Sequence, residues 1–258
     1  MTGAPSFTPT ACHGHRIERL EYIFLRPLPR VTEYELRRAM GLAGKRPARP
    51  SLLRQMDRLA AQRLPMAQPR LVLGLGRVEE IAALLPIQTT IQRYLAGAEH
   101  AAMLAGTAGL PPAASGDDPL MDFVDNAVSI TLVRKLFVWA REYLKQRWGE
   151  WETGEPLLPG NCGLPLQIQC ALLSNLPLSE IEVRYEAERE LLMPLASVSG
   201  LIGIGRYQPV DGVSCLRCPS QNCPLRECDF DPQKFQDLAW YCSSPARESE
   251  KDSLRKSN

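Results

Sequence analysis

The chain has 258 residues, 45% of them hydrophobic and 23% charged, with a formal net charge of +1. Such apolar content supports a sizeable core without covalent staples, and the length suits one large domain or two small ones. The balanced charge gives no general pull toward nucleic acid or an anionic membrane, and eight cysteines are too few for a small disulfide-stapled scaffold.

The first fifteen residues, MTGAPSFTPTACHGH, lack the basic start and apolar core of a secretory signal and read as a disordered tail. RIERLEYIFLRPLPR follows as a short mixed segment. TEYELRRAMGLAG reads as a helix starting at Thr32 and ending at a glycine. SLLRQMDRLAAQRL carries Leu52, Leu53, Met56, Leu59 and Ala60 on one face, an amphipathic helix capped by Ser51. PRLVLGLGRV is apolar and punctuated by glycine, so it reads as a strand or a strand plus turn. From Glu79 to Gly106 the pattern is helical, broken or kinked at Pro86.

GLPPAASGDD is a loop by composition. It ends at Asp118-Pro119, an N-cap followed by a good first helical residue. The helix that begins there runs to about Trp148, with Ile130, Val133, Phe137, Ala140 and Leu144 as its buried stripe. EPLLPGNCG is a turn-rich loop and PLQIQCALLSNL a helix. IEVRYEAERELLMP contains a strand in which Ile181, Val183 and Tyr185 alternate, and VSGLIGIGRY is one more strand. These elements predict an α+β fold: an antiparallel sheet flanked by helices, with the 119–148 helix central to the core. The expected organisation is a tail over 1–15, the α+β domain over 16–210, a cysteine-rich metal-binding segment over 211–242 and a charged tail over 243–258.

The sharpest chemical signal is SCLRCPSQNCPLREC, in which Cys215, Cys218, Cys223 and Cys228 are spaced C-x2-C-x4-C-x4-C. With no secretory signal and no apolar run of membrane-spanning length, the chain reads as cytoplasmic. There thiols stay reduced, and clustered cysteines bind metal more often than they pair. Structural zinc usually takes two C-x2-C knuckles across a longer loop. A compact run with Cys-Pro junctions suits an iron–sulfur cluster better, most simply of the four-iron type. Zinc as a structural clamp and a metal-free loop are the alternatives, and Cys242 is a substitute for the fourth ligand.

Other features are weaker. Cys12, His13 and His15 form a local cluster in the tail. LGLG and GLIGIG lack the strand–turn–helix context of phosphate-binding loops. Core packing accounts for Cys170. The arginines between Arg30 and Arg63 interleave with Glu33, Glu35 and Asp57, so they read as a solvated face rather than a nucleic-acid surface. Only three histidines exist, two of them in the tail, and no Ser–His–Asp arrangement can be assembled.

In order, several segments resemble the activation domain of cobalamin-dependent methionine synthase in its free-standing bacterial form. They are ELRRAMGLAGKRPARPSLLRQMDRLAAQRL, then IQRYLAGAEHAAMLAGTAG, then PGNCGLPLQIQCALLSNL and MPLASVSGLIGIG. Free-standing members also carry a C-x2-C-x4-C-Pro-x-Arg segment, similar to CLRCPSQNCPLR here. The resemblance spans roughly residues 32 to 228. It implies a domain that docks on a cobalamin-binding methyltransferase, lets inactive cob(II)alamin be reduced and remethylated, and binds S-adenosylmethionine in a shallow groove. Carried over by position are Pro159, Gly160 and Gly163 of the loop, Gln169, and Met193, Pro194, Ser197 and Ser199. The chain departs from the family pattern at Asn161, where an aromatic stands, and at Glu155 or Pro156, where an arginine holds the ligand carboxylate. It departs again at Ala196, where a lysine is common, and at Arg134, where a glutamate is usual. A site without that arginine and aromatic lacks a bidentate carboxylate partner and a stacking face. These departures predict weak or no S-adenosylmethionine binding, leaving the corrinoid protein as the expected partner and an iron–sulfur cluster as the expected cofactor.

Overall fold

The computed structural model describes residues 20–42, 49–86, 97–112, 118–160 and 168–205, with positions 91, 95, 166 and 229. The elements, in chain order, are β1 (Glu21–Leu25), α1 (Glu33–Ala39), α2 (Pro50–Arg63), β2 (Arg70–Arg77), α3 (Val78–Ala83) and β3 (His100–Thr107). They continue with α4 (Pro119–Trp148), β4 (Glu152–Thr153), α5 (Ile168–Leu173), β5 (Arg184–Glu186), β6 (Leu191–Met193) and β7 (Ser197–Gly205). Among the described residues, five strands form one antiparallel sheet in the order β1-β2-β3-β7-β4, and β5 and β6 pair as a separate hairpin. The expected α+β architecture, an antiparallel sheet with flanking helices, is therefore present.

Both faces of the sheet are covered, which explains why its central strands read as continuous apolar runs. Leu71, Leu73, Ala102, Leu104, Ile202 and Ile204 face the second half of α4, packing with Leu136, Phe137, Ala140 and Leu144. Val72, Ala101, Met103, Ala105 and Leu201 face the opposite layer, which includes Ile81, Ile168 and Leu172. The helix sits close because the strands are small where it crosses. A Cβ at Gly106 would stand 3.0 Å from Leu136 and 2.9 Å from the Arg70 carbonyl; one at Gly200 would stand 3.0 Å from Phe137.

Local signals set most helix boundaries. Thr32 caps α1 with a full capping box to Glu35, and the Asp118 side chain accepts from the amides of Leu120 and Met121 to start α4. Helix α2 departs from expectation. Its N-cap is Arg49, without a side-chain cap bond, and Pro50 takes the first turn, so Ser51 lies inside the helix.

Three expectations are corrected. In the stretch expected to be helical through Gly106, the described residues include α3 and a helical Ile91, but His100–Thr107 is the central strand β3. Its alanines favour helix by propensity, but a strand buried on both faces shows no period-2 alternation to oppose that reading. The segment around Glu21 forms edge strand β1, paired with β2 from Glu21↔Leu75 to Leu25↔Leu71. Ile181 and Val183 are buried as expected, yet Ile181 ends a 3₁₀ turn (Leu178–Ile181) and the strands on either side of Ala187 form the β5–β6 hairpin.

The long helix spans 119–148 as expected, but its stripe changes partner midway. Val124, Ala127, Val128 and Leu132 pack against Met40, Met56 and Ala60 of the α1–α2 layer, while Leu136 onward packs on the sheet. Ile130 and Val133, expected in the core, are only half-buried.

Candidate functional site

The half-buried pair marks a groove of about 1150 Å³. One wall is α4 from Asp125 to Arg134. The floor is the start of β2 and the end of β3, at Arg70 and Thr107. The opposite wall comprises Glu182–Arg184 and Met193–Ser197.

The floor is tied together by local bonds. Thr107 Oγ1 donates to the Ala196 carbonyl at 3.2 Å, the Gly109 amide donates to Thr107 Oγ1 at 3.2 Å, and the Ala108 amide donates to the Ala196 carbonyl at 2.8 Å. Gly109 has φ +59°, and a Cβ there would meet the Gln68 carbonyl oxygen at 2.0 Å, so no other residue fits this turn. Met193-Pro194 is a cis peptide on the rim.

Ion pairs frame the groove among the described residues, Arg184 with Glu186 at 3.2 Å being one. Arg63 Nε and Nη2 donate to the two Asp125 carboxylate oxygens at 2.6 and 2.7 Å, and Nη2 also donates to the Pro111 carbonyl. Arg63 is buried, against the expectation that the arginines up to this position form a solvated face; the carboxylate needed to bury it lies 62 residues away. Arg70 binds Glu182. The hydrogen bond and the charge of that guanidinium hold the Glu182 carboxyl below its ordinary value.

Met193, Pro194 and Ser197 line the groove. The Ser197 hydroxyl oxygen is buried without a hydrogen-bond partner. Ser199 lies deeper, 2% exposed, and donates to Gln169 Oε1 at 3.2 Å, while Gln169 Nε2 donates to the Glu190 carbonyl at 3.3 Å. These two residues join β7 to α5 and do not line the groove.

Pro159 and Gly160 form a turn after Leu157, whose amide and carbonyl both bond Leu201 of β7. The chain just before this loop thus runs beside β7, and Pro159 and Gly160 are not part of the groove lining. Glu155 accepts from Arg141 at 3.2 Å, and Arg141 also donates to the Thr153 hydroxyl and carbonyl. An arginine therefore does stand beside this loop, supplied by α4 rather than by the loop itself.

Gly163, Asn161 and the cysteines 215, 218, 223 and 228 lie outside the described residues. Among the described residues, no group of three His, Cys, Asp or Glu side chains could hold a metal, and no helix is long and apolar enough to cross a membrane. Cys170 is disulfide-bonded, so core packing alone does not account for it.

No family model matches the chain, and no curated protein matches it. Among solved structures, the MetH reactivation domain bound to AdoHcy is similar at 15% identity, over 76% of this chain and 83% of that one, with a TM-score of 0.47.

Proposed function

We propose that this chain is an accessory protein for corrinoid-dependent methyl transfer. It docks on a cobalamin-binding methyltransferase and supports its reductive activation. What carries the reading is the meeting of the two segments with the most specific sequence resemblance. PGNCGLPLQIQCALLSNL and MPLASVSGLIGIG are separated by a short intervening stretch; Ser199 of the second donates to Gln169 of the first, and Leu157, just before the first segment, bonds Leu201 reciprocally. Gln169 and Ser199 are both residues that the resemblance carries over, and their bond supports the reading.

In this reading Cys215, Cys218 and Cys223, with Cys228 as the fourth thiolate, hold an iron–sulfur cluster of the four-iron type. The support is their spacing and the similar segment in free-standing members of the family. When bound, such a cluster supplies one electron at a potential that can reach roughly −700 mV, the chemistry that reduction of cob(II)alamin requires. Arg217 and Arg226 would offset part of the thiolate charge.

Anaerobic purification with iron and sulfide analysis tests the cluster. Iron and sulfide are expected in stoichiometric amounts, lost in Cys215→Ala and kept in Cys12→Ala; stoichiometric zinc without sulfide would move the segment to the structural-clamp reading. The function is tested by adding the reduced protein to a cob(II)alamin-loaded methionine synthase and following the cobalamin spectrum. Faster loss of the cob(II)alamin bands is expected, and an unchanged rate sinks the proposal. S-adenosylmethionine is expected to bind weakly or not at all by calorimetry, and a micromolar dissociation constant would contradict the loss of its contacts.

A further inference from the structure

The charges around the groove beside α4 are closed on one another. Arg63 pairs with Asp125, Arg70 with Glu182 and Arg184 with Glu186, and Arg134 is not without a partner. A charged molecule entering here would have to break one of these pairs or bring its charge against an apolar wall without a counter-charge, and both are unfavourable. The lining therefore selects against net charge of either sign.

What stays open is apolar. Helix α4 turns from the sheet to the α1–α2 layer at this point, so Ile130 and Val133 continue its apolar stripe yet remain half-buried. Leu110, Pro111, Met193 and Leu195 complete the apolar lining, and Leu195 is 72% exposed. Displacing water from such a surface by an apolar body is favourable, and an unbranched, polarisable methionine adapts to the shape of what it meets. The volume of about 1150 Å³ is ample for a small organic molecule, since ligand pockets typically hold about 300–1,000 Å³. One turn back along α4, Asn126 and Ser129 line the same groove. They stand at i, i+3 and i+4 spacings from each other, Ile130 and Val133, so all four share one helix face. Their side chains offer donors and acceptors that carry no charge.

We propose that the groove binds a small neutral amphiphile, an apolar chain or ring bearing one hydroxyl or amide group. The apolar body would lie along Ile130 and Val133, and its head would exchange hydrogen bonds with Asn126 and Ser129. S-adenosylmethionine, charged at its sulfonium, amino and carboxylate groups, is not such a molecule. The inference rests on the lining alone and needs no corrinoid partner.

Octan-1-ol is the probe, with octanoate and octylammonium as charged comparators of the same length, titrated into the full chain and followed by calorimetry and amide NMR shifts. Octan-1-ol is expected to bind saturably at one site, with shifts at 126–133 and 193–195. Each charged comparator should bind at least about threefold more weakly, since its head brings an unpaired charge to the lining. The octan-1-ol affinity should change by less than about twofold between about 50 and 500 mM sodium chloride, because screening acts on charge. Ile130→Trp, which fills the groove, should weaken octan-1-ol by about tenfold or more. The double variant Asn126→Ala with Ser129→Ala, at helix positions where alanine favours the fold, should weaken it by about threefold through the lost hydrogen bonds without lowering the thermal midpoint. Absence of saturable binding, equal or tighter binding of either charged comparator, a strong salt dependence, or undiminished binding to the folded Ile130→Trp or double-alanine variant would each overturn the proposal. None of these outcomes touches the cobalamin assay, so the two readings fail separately.

Discussion

Arg63 and Asp125 join α2 to α4 largely out of reach of solvent, with side-chain exposures of 6% and 16%. The contact is two-pointed, Nε and Nη2 each meeting one carboxylate oxygen. Asp125→Ala leaves the guanidinium buried without its counter-charge, a change that typically costs about 3–5 kcal/mol. The low end applies here, because Asp125 keeps some access to water and Arg63 retains the Pro111 carbonyl. At about 2–4 °C per kcal/mol for a domain of this size, a loss of about 3 kcal/mol lowers the thermal midpoint by about 6–12 °C. Urea denaturation of Asp125→Ala, Arg63→Met and the double variant Arg63→Met with Asp125→Leu measures the terms. The double variant should recover most of the loss, since exchanging a buried pair for apolar groups is often neutral. A single-variant loss under about 1 kcal/mol, the value of an exposed pair, would refute the argument that this pair is desolvated.

Phe137→Ala should cost about 3–5 kcal/mol, because Phe137 fills the space over Gly200 between α4 and β7; a near-neutral urea midpoint would mean the wrong face of α4 points inward. Gly109→Ala combines a left-handed backbone with a clash on the Gln68 carbonyl and should lose about 2–5 kcal/mol by the same assay. Burial tends to raise the Glu35 carboxyl, but the Lys135 hydrogen bond, the Thr32 bonds and the Lys135 charge outweigh it and hold the carboxyl below its ordinary value. A lowered carboxylate stabilises the fold above its unfolded value and loses that contribution as pH falls through its folded value. The stability gap between the wild type and Glu35→Gln should therefore be full above the ordinary carboxylate range and shrink as pH falls through it; a gap independent of pH would remove Glu35 from the account.

What the sequence determined by itself were the elements governed by neighbours along the chain. Thr32 with Glu35, Asp118 with Pro119, and the alternation-free glycine strand at 197–205 each contain their own physical cause, a cap or a run too small and apolar for anything but a buried strand. The α+β class followed from them. The resemblance likewise drew attention to Met193, Pro194 and Ser197, which do line the groove, and to Ser199, which does not.

Other features were decided by residues distant in sequence. His100–Thr107 became a strand because helix α4 on one face and the α3–α5 layer on the other buried it, a burden no local propensity encodes. Ile130 and Val133 continue the helical period of Phe137 and Leu144, but α4 turns from the sheet to the α1–α2 layer halfway along, so that period runs out into the groove. Arg63 reads as one more surface arginine until Asp125 is brought against it. In each case the sequence pattern is compatible with two outcomes, and burial by a distant partner, which lowers the free energy of only one of them, makes the choice.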